Sequence, residues 1–362
     1  MQVTHLALRN FRNFAEATVT PHPRFNVITG HNGQGKTNLL ESLFWLGTLR
    51  PHRATRLREL VQWGQKEAYV EGRILDQGLE HRLAVELKGS TRQALREGKN
   101  SRAAAYFGAL SVVLFVPEDV GLVRGSPESR RRFLDRAIFT GRTPYLASVL
   151  DYRRALDGRN RLLRDNAPDP LIEAFEETLA IHAVKVIEAR TDYVSSIAPQ
   201  FSGIYQSIVG EDSAGSLRYR PSIVTAEKNG VDGLREVWAM DRERDRQRGY
   251  TQRGPHTDDM SFGLGDRSAK TYASQGQQRA MVLALKIAEI GLLQKKFGRT
   301  PVLLLDDVSS ELDPQRNARL FDFLDRFEGQ VFITTTDPSF LRIDTDKRTW
   351  QVSDGQVTVQ EN

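Results

Sequence analysis

Eight residues, Gly30-His31-Asn32-Gly33-Gln34-Gly35-Lys36-Thr37, limit what this chain can fold into more than any other segment. They match the pattern GxxxxGK[ST], and their surroundings give that pattern its meaning. Arg24-Phe25-Asn26-Val27-Ile28-Thr29 reads as a strand ending at Gly30, and Lys36 to Leu49 reads as a helix that stops before Pro51. A strand, a glycine-rich turn and a helix in that order call for an α/β layer structure. Glycines at 30, 33 and 35 let backbone N–H groups wrap an anion, and the new helix adds its positive end. The whole loop is therefore the expected ATP-binding segment, with Lys36 reaching the terminal phosphates and Thr37 placing its hydroxyl on Mg²⁺.

Two further segments carry chemistry. The apolar run Val302-Leu303-Leu304-Leu305 ends in Asp306-Asp307, which puts two carboxylates just beyond a buried strand. Taken alone these acids also read as caps of the following helix. Beside a phosphate loop they read as Walker B, with Asp306 holding the metal shell and Asp307 polarising the attacking water. Ser274-Gln275-Gly276-Gln277-Gln278-Arg279 opens a long helix from Gln275 to Phe297. Alone it is an ordinary N-cap. Its place ahead of Walker B, with Ser310-Glu311-Leu312-Asp313 directly after, matches the order of signature, Walker B and D-loop in ABC-type ATPases.

The rest of the chain alternates strand and helix around a helical middle. Val3 to Leu8, Ala15 to Val19, Ala68 to Leu75, His81 to Leu87 and Val112 to Val116 read as strands, and Val331 to Ile333 as a buried one. From Ser126 and Pro127 the period turns helical, through Arg130, Arg131 and Arg132. Tyr145 to Arg164 and Pro170 to Ile197 form an αα-hairpin, too short for the arms of an SMC-type protein. The expected architecture is α/β, an ABC-type ATPase head. A first lobe of mixed sheet and P-loop (1–112 and 296–362) is interrupted by a mainly helical second lobe (113–295), with no long coiled coil.

Composition excludes several classes. The sequence has no cysteine, so disulfides, thiolate zinc sites and thiol nucleophiles are absent. No apolar run approaches the roughly eighteen residues of a membrane span, and the N-terminus lacks the pattern of a secretory signal. A cytoplasmic location is expected. Net charge is +5, and 40 arginines outnumber 11 lysines. Arginine forks onto phosphate, so the excess leans toward nucleic acid, although a GC-rich genome produces the same bias. Arg130, Arg131 and Arg132 read either as a DNA-facing row or as a solvated helix face. His256 with Asp258 and Asp259 reads as a loop hydrogen-bond network rather than a metal cluster.

Additional segments carry a family resemblance. They are Leu8-Arg9-Asn10-Phe11-Arg12-Asn13-Phe14, the phosphate loop running into Thr37-Asn38, and Phe115-Val116-Pro117-Glu118-Asp119. To these add Gly125-Ser126-Pro127, Gly254-Pro255-His256-Thr257-Asp258-Asp259 and Tyr272-Ala273-Ser274-Gln275-Gly276-Gln277. Over essentially its whole length the chain resembles the RecF family of ABC/SMC-type ATPases. That resemblance implies an ATP- and Mg²⁺-dependent protein that forms a homodimer on ATP and binds duplex DNA and single-strand/duplex junctions. It further implies action with RecO and RecR in directing RecA onto gapped DNA, in recombinational repair, replication recovery and the SOS response. By position, Ser274, Gly276 and Gln277 would meet the γ-phosphate held by the opposite subunit. The sequence leaves the Gln-loop counterpart open, with Glu118 as a candidate.

Three residues depart from the broader ABC pattern. Gln275 stands where glycine is usual, Asp307 where glutamate is usual, and Thr336 where many relatives carry a switch histidine. A shorter carboxylate holds water less closely and a threonine cannot donate as an imidazole does, so weak, slow ATP hydrolysis is expected. Two other readings share the motifs: the nucleotide-binding subunit of a transporter, and a module that holds ATP without turnover.

Overall fold

The computed structural model describes residues 1–54, 56–141, 143–210, 214–224, 230–308, 314–343 and 346–360. The chain divides into two compact units, one of Met1–Asp119 with Gln275–Asn362 and one of Val120–Ser274.

The first unit begins with an antiparallel meander. β1 (Gln2–Phe11) turns through Arg12 and Asn13 into β2 (Phe14–Val19), with Phe11 opposite Phe14. β3 (Phe25–Thr29) leads through the phosphate loop into the Lys36–Thr48 helix. β4 (Glu67–Asp76), β5 (Leu79–Lys88), β6 (Thr91–Arg96) and β7 (Lys99–Asn100) extend the meander to the order β2-β1-β4-β5-β6-β7. β8 (Val112–Phe115) belongs to a second, mainly parallel sheet. The Lys36–Thr48 helix packs against strands of both sheets, which is why Leu39 through Thr48 are all buried rather than lying on one stripe. Trp45 stacks on Phe11 at 5.7 Å between ring centres, a contact of about 0.5–1.5 kcal/mol beyond its burial.

The second unit holds the Pro127–Gly141, Thr143–Arg164, Asp169–Val209 and Val231–Arg248 helices. A small antiparallel sheet accompanies them, made of β9 (Gly215–Arg220), β10 (Asp259–Leu264) and β11 (Arg267–Ser268). The second arm of the helical hairpin runs past the expected end at Ile197, through Pro199, to Val209. A mid-helix proline costs roughly 3 kcal/mol. Beyond it Phe201, Tyr205 and Ile208 continue the buried face, each at most 4% exposed, and Phe201 meets Phe262 of β10 at 5.9 Å. Burying each such side chain is worth about 1.5–3 kcal/mol, so the apolar face outweighs the proline.

Arginines tie this unit together from inside. Arg159, 0% exposed, bonds Glu176 at 2.8 Å and Asp245 and Thr251 at 2.7 Å. Arg242 shares Glu176 at 2.8 Å, and Arg190 pairs with Asp135 at 2.8 Å. Arg130 is buried too and forks onto Asp259 at 2.6 and 2.9 Å, while Arg131 donates to the Asp258 carbonyl at 2.8 Å. Of the row Arg130-Arg131-Arg132 only Arg132 is well exposed, and it pairs with Glu128 one turn back. The DNA-facing reading of Arg130 is therefore replaced by a structural one: the guanidinium is 4% exposed, and besides the carboxylate its Nη1 donates to the carbonyls of Leu122 and Gly125, which leaves it closed to phosphate.

β12 (Val302–Asp306), β13 (Val331–Thr334), β14 (Lys347–Ser353) and β15 (Gln356–Gln360) return to the first unit. They complete the order β15-β14-β3-β13-β12-β8, parallel throughout except for the β14–β15 hairpin. The unit boundaries fall differently from the sequence expectation of 112 and 296. β8 pairs with β12, and the Gln275–Phe297 helix packs on β8, with Lys286 Nζ 3.2 Å from Asp119 Oδ2. No helix among the described residues is long and apolar enough to cross a membrane.

Candidate nucleotide site

Parallel pairing of β3, β13, β12 and β8 brings the C-terminal ends of these strands to one edge, where open α/β sheets present their ligand sites. The phosphate loop follows β3, Asp306 ends β12, and Thr334 ends β13 between them. Thr37 Oγ1 lies 2.9 Å from both carboxylate oxygens of Asp306, although 269 residues separate the two in sequence. Thr334 Oγ1 donates to Asp306 Oδ1 at 2.7 Å and accepts from the Asp307 N–H at 2.9 Å. Gly35, immediately before the helix, has φ 114°, a conformation in which a side chain is strongly disfavoured.

Lys36 Nζ donates to the carbonyls of Gly30 (2.7 Å) and His31 (3.0 Å), so its ammonium spans the loop it belongs to. Burial lowers its pKa, and the nearby charges of Asp307 and Asp306 oppose that shift. Asp306, 3% exposed, has its pKa raised by burial against the hydrogen bonds of Thr334 and Thr37 and the charge of Arg53. A buried carboxylate beside a hydroxyl is the hard-oxygen donor set that Mg²⁺ prefers, and a cation there would relieve the burial penalty. These residues fit that metal.

Sequence reasoning missed several members of the site. Arg53 Nη2 bridges Asp306 Oδ2 (3.3 Å) and Glu118 Oε1 (2.9 Å), which brings Glu118 beside Asp306. Glu41, 2% exposed, sets that geometry: one oxygen accepts from the N–H groups of His52 and Arg53 at 3.2 Å, the other from Arg12 at 2.8 and 2.9 Å. Glu41 lies one helical turn beyond Thr37, and that spacing was the available signal. A separate groove of about 1840 Å³ has walls that include Arg12, Asn13, Asn38, Arg56, Trp63 and Lys88, and none of Gly30 to Thr37 lines it.

The signature residues occupy the head of another helix. Ser274 precedes it, and Gln275, Gly276 and Gln277 form its first turn, with Ser274 and Gln275 exposed. None of the described polar partners of Lys36, Thr37 or Asp306 comes from this turn. The D-loop residues Ser310, Glu311, Leu312 and Asp313 lie outside the described residues. Thr336 is exposed just beyond β13. In the second unit, His256 Nε2 donates to the Thr251 carbonyl at 2.9 Å, and burial keeps the ring neutral, so Nδ1 accepts from the Tyr152 hydroxyl at 2.6 Å, a hydrogen-bond network.

The family described as RecF/RecN/SMC N terminal domain matches residues 2–357. The DNA replication and repair protein RecF of Myxococcus xanthus is 45% identical over 371 residues, covering 99% of this chain and 98% of that protein. The protein of the same name from an Anaeromyxobacter species is 44% identical over 344 residues, 93% of each chain. The chain belongs to the RecF family. A solved structure of the recombination mediator protein RecF with ATP, in the RecFOR pathway, superimposes with TM-score 0.90 at 28% identity, over 99% of this chain and 98% of that one. A solved Smc head bound to the C-winged helix domain of ScpA has TM-score 0.57 at 16% identity, which shows the shared head fold. Full-length RecF membership sets aside the transporter reading.

Proposed function

We propose that this RecF-family chain is an ATP-gated DNA-binding protein of recombinational repair, acting with RecO and RecR to help load RecA on gapped DNA. The observation that carries the reading is the meeting of Thr37 and Asp306 at neighbouring strand ends beside the loop Gly30–Thr37. Lys36 and the loop N–H groups of Gly30, His31, Asn32, Gly33, Gln34 and Gly35 bind the phosphates. Thr37 and Asp306 hold Mg²⁺, which spreads the negative charge of the phosphates when bound. Asp307 orients the attacking water from a backbone with φ 46°, held by the Thr334 hydroxyl. One carbon shorter than glutamate, it supports slow turnover, so ATP serves as a switch that weak hydrolysis resets.

Equilibrium titration with a fluorescent ATP analogue reads occupancy of the Gly30–Thr37 loop. Removing a charge-assisted contact costs about 1.5–3 kcal/mol, so Lys36→Met should weaken ATP affinity by roughly tenfold to a hundredfold. Unchanged ATP affinity in a folded Lys36→Met protein would contradict the assignment.

A further inference from the structure

Two segments outside every nucleotide motif grip the phosphate loop. Asn13, in the link between β1 and β2, donates from Nδ2 to the Gln34 carbonyl at 2.7 Å and accepts at Oδ1 from Asn38 Nδ2 at 2.8 Å. One amide thus ties the last turn of the loop to the first turn of its helix. From the other side the β14–β15 turn closes in, where the Asp354 N–H donates to Gln34 Oε1 at 2.5 Å. The packing leaves no spare room. A Cβ on Gly35 would lie 2.4 Å from Asn13 Nδ2, one on Gly355 would lie 2.4 Å from the Asn13 carbonyl oxygen, and one on Gly30 would lie 2.3 Å from the Val352 carbonyl oxygen.

We propose that Asn13 and the Asp354–Gly355 turn are positioning residues for the nucleotide, holding Gln34 and Gly35 in the phosphate-binding arc before ATP arrives. The inference rests on the ATP-binding reading above. A loop with three glycines has much backbone freedom to lose, and its converging N–H dipoles repel one another until an anion arrives. Bracing it beforehand moves that cost from binding to folding, which raises affinity without touching the ligand. The C-terminal hairpin thereby becomes part of the nucleotide site.

The fold supplies matched controls. Gln77-Gly78, Glu97-Gly98 and Asp354-Gly355 are all two-residue hairpin turns with left-handed φ at both positions: 50° and 81°, 51° and 71°, 47° and 73°. A Cβ at Gly78 or Gly98 meets nothing within 4 Å, whereas one at Gly355 meets the Asn13 backbone. Alanine at any of the three imposes the same left-handed strain, and only Gly355→Ala also pushes on Asn13.

The experiment titrates ATP into the wild type and into Gly355→Ala, Gly78→Ala, Gly98→Ala and Asn13→Ala, with thermal melting of each. Gly78→Ala and Gly98→Ala should melt earlier yet bind ATP as the wild type does. Gly355→Ala and Asn13→Ala should bind about tenfold more weakly, the scale of two lost hydrogen bonds. In hydrolysis the loss should appear in KM, with kcat restored at saturating ATP. Asn13→Asp, which keeps the acceptor for Asn38 but cannot donate to Gln34, should not rescue binding. If Gly355→Ala fails to fold, the Asn13 pair decides. Wild-type affinity in Asn13→Ala, or equal losses at Gly78 and Gly355, would overturn the inference while leaving ATP binding standing. A wild type that does not bind ATP would instead remove the reading on which it rests.

Discussion

Raising salt from about 50 to 200 mM should weaken the ATP-bound protein's hold on duplex DNA on the order of a thousandfold, if about six phosphates are neutralised. Net charge +5 with 40 arginines supplies the donors, but the structure shows that the total over-counts them. Arg12, Arg130, Arg159, Arg190, Arg242 and Arg299 are committed to carboxylates of the chain itself. Exposed bases such as Arg56, Arg58, Lys99 and Arg102 remain for phosphate. Counterion release makes such binding steep in salt, with a slope near 0.9 per phosphate. Fluorescence anisotropy of a labelled duplex across the salt series measures it. A flat response would take DNA out of the function.

The phosphate loop was legible because its chemistry is local: eight consecutive residues fix both loop and helix start. Its partner Asp306 was legible as the end of an apolar run. That Thr37 touches Asp306, with Thr334 supporting it, follows from the strand order β3-β13-β12-β8, which no local pattern encodes. Arg53 and Asn13 went unforeseen because a polar residue in a loop has no periodicity to mark it, while Glu41 was marked only by its spacing of one turn from Thr37. The β14–β15 hairpin did carry a signal, Asp354-Gly355 between alternating segments, that the sequence reading passed over. The arginine-rich helix start at Arg130 misled for the opposite reason. Charge alone does not reveal burial, and the acid that closes on Arg130 is Asp259, far along the chain.

ATP should drive two chains together through Ser274 acting in trans, and Ser274→Arg should abolish that association. Ser274 and Gln275 are exposed at the start of the Gln275–Phe297 helix, whose N-terminus carries the positive end of the helix dipole. In a pair with two-fold symmetry, each Ser274 hydroxyl, Gly276 N–H and Gln277 side chain would meet the γ-phosphate bound by the partner's Lys36. ATP then lies within the interface. Loss of the γ-phosphate would remove the contact at both sites at once, so hydrolysis would release the pair and the DNA it holds. In such a pair an arginine at 274 would fill the space of the phosphate, yet leave the Gly30–Thr37 loop of its own chain intact. Monomer ATP binding should stay within about twofold of the wild type, while dimerisation and most hydrolysis are lost.

Light scattering at high protein concentration, with ATP, with ADP and without nucleotide, and with and without duplex DNA, tests the switch most directly. Wild type should double in mass with ATP alone among the nucleotide conditions, and Ser274→Arg should remain monomeric throughout. A wild type that stays monomeric with ATP, or a Ser274→Arg protein that still pairs, contradicts the account.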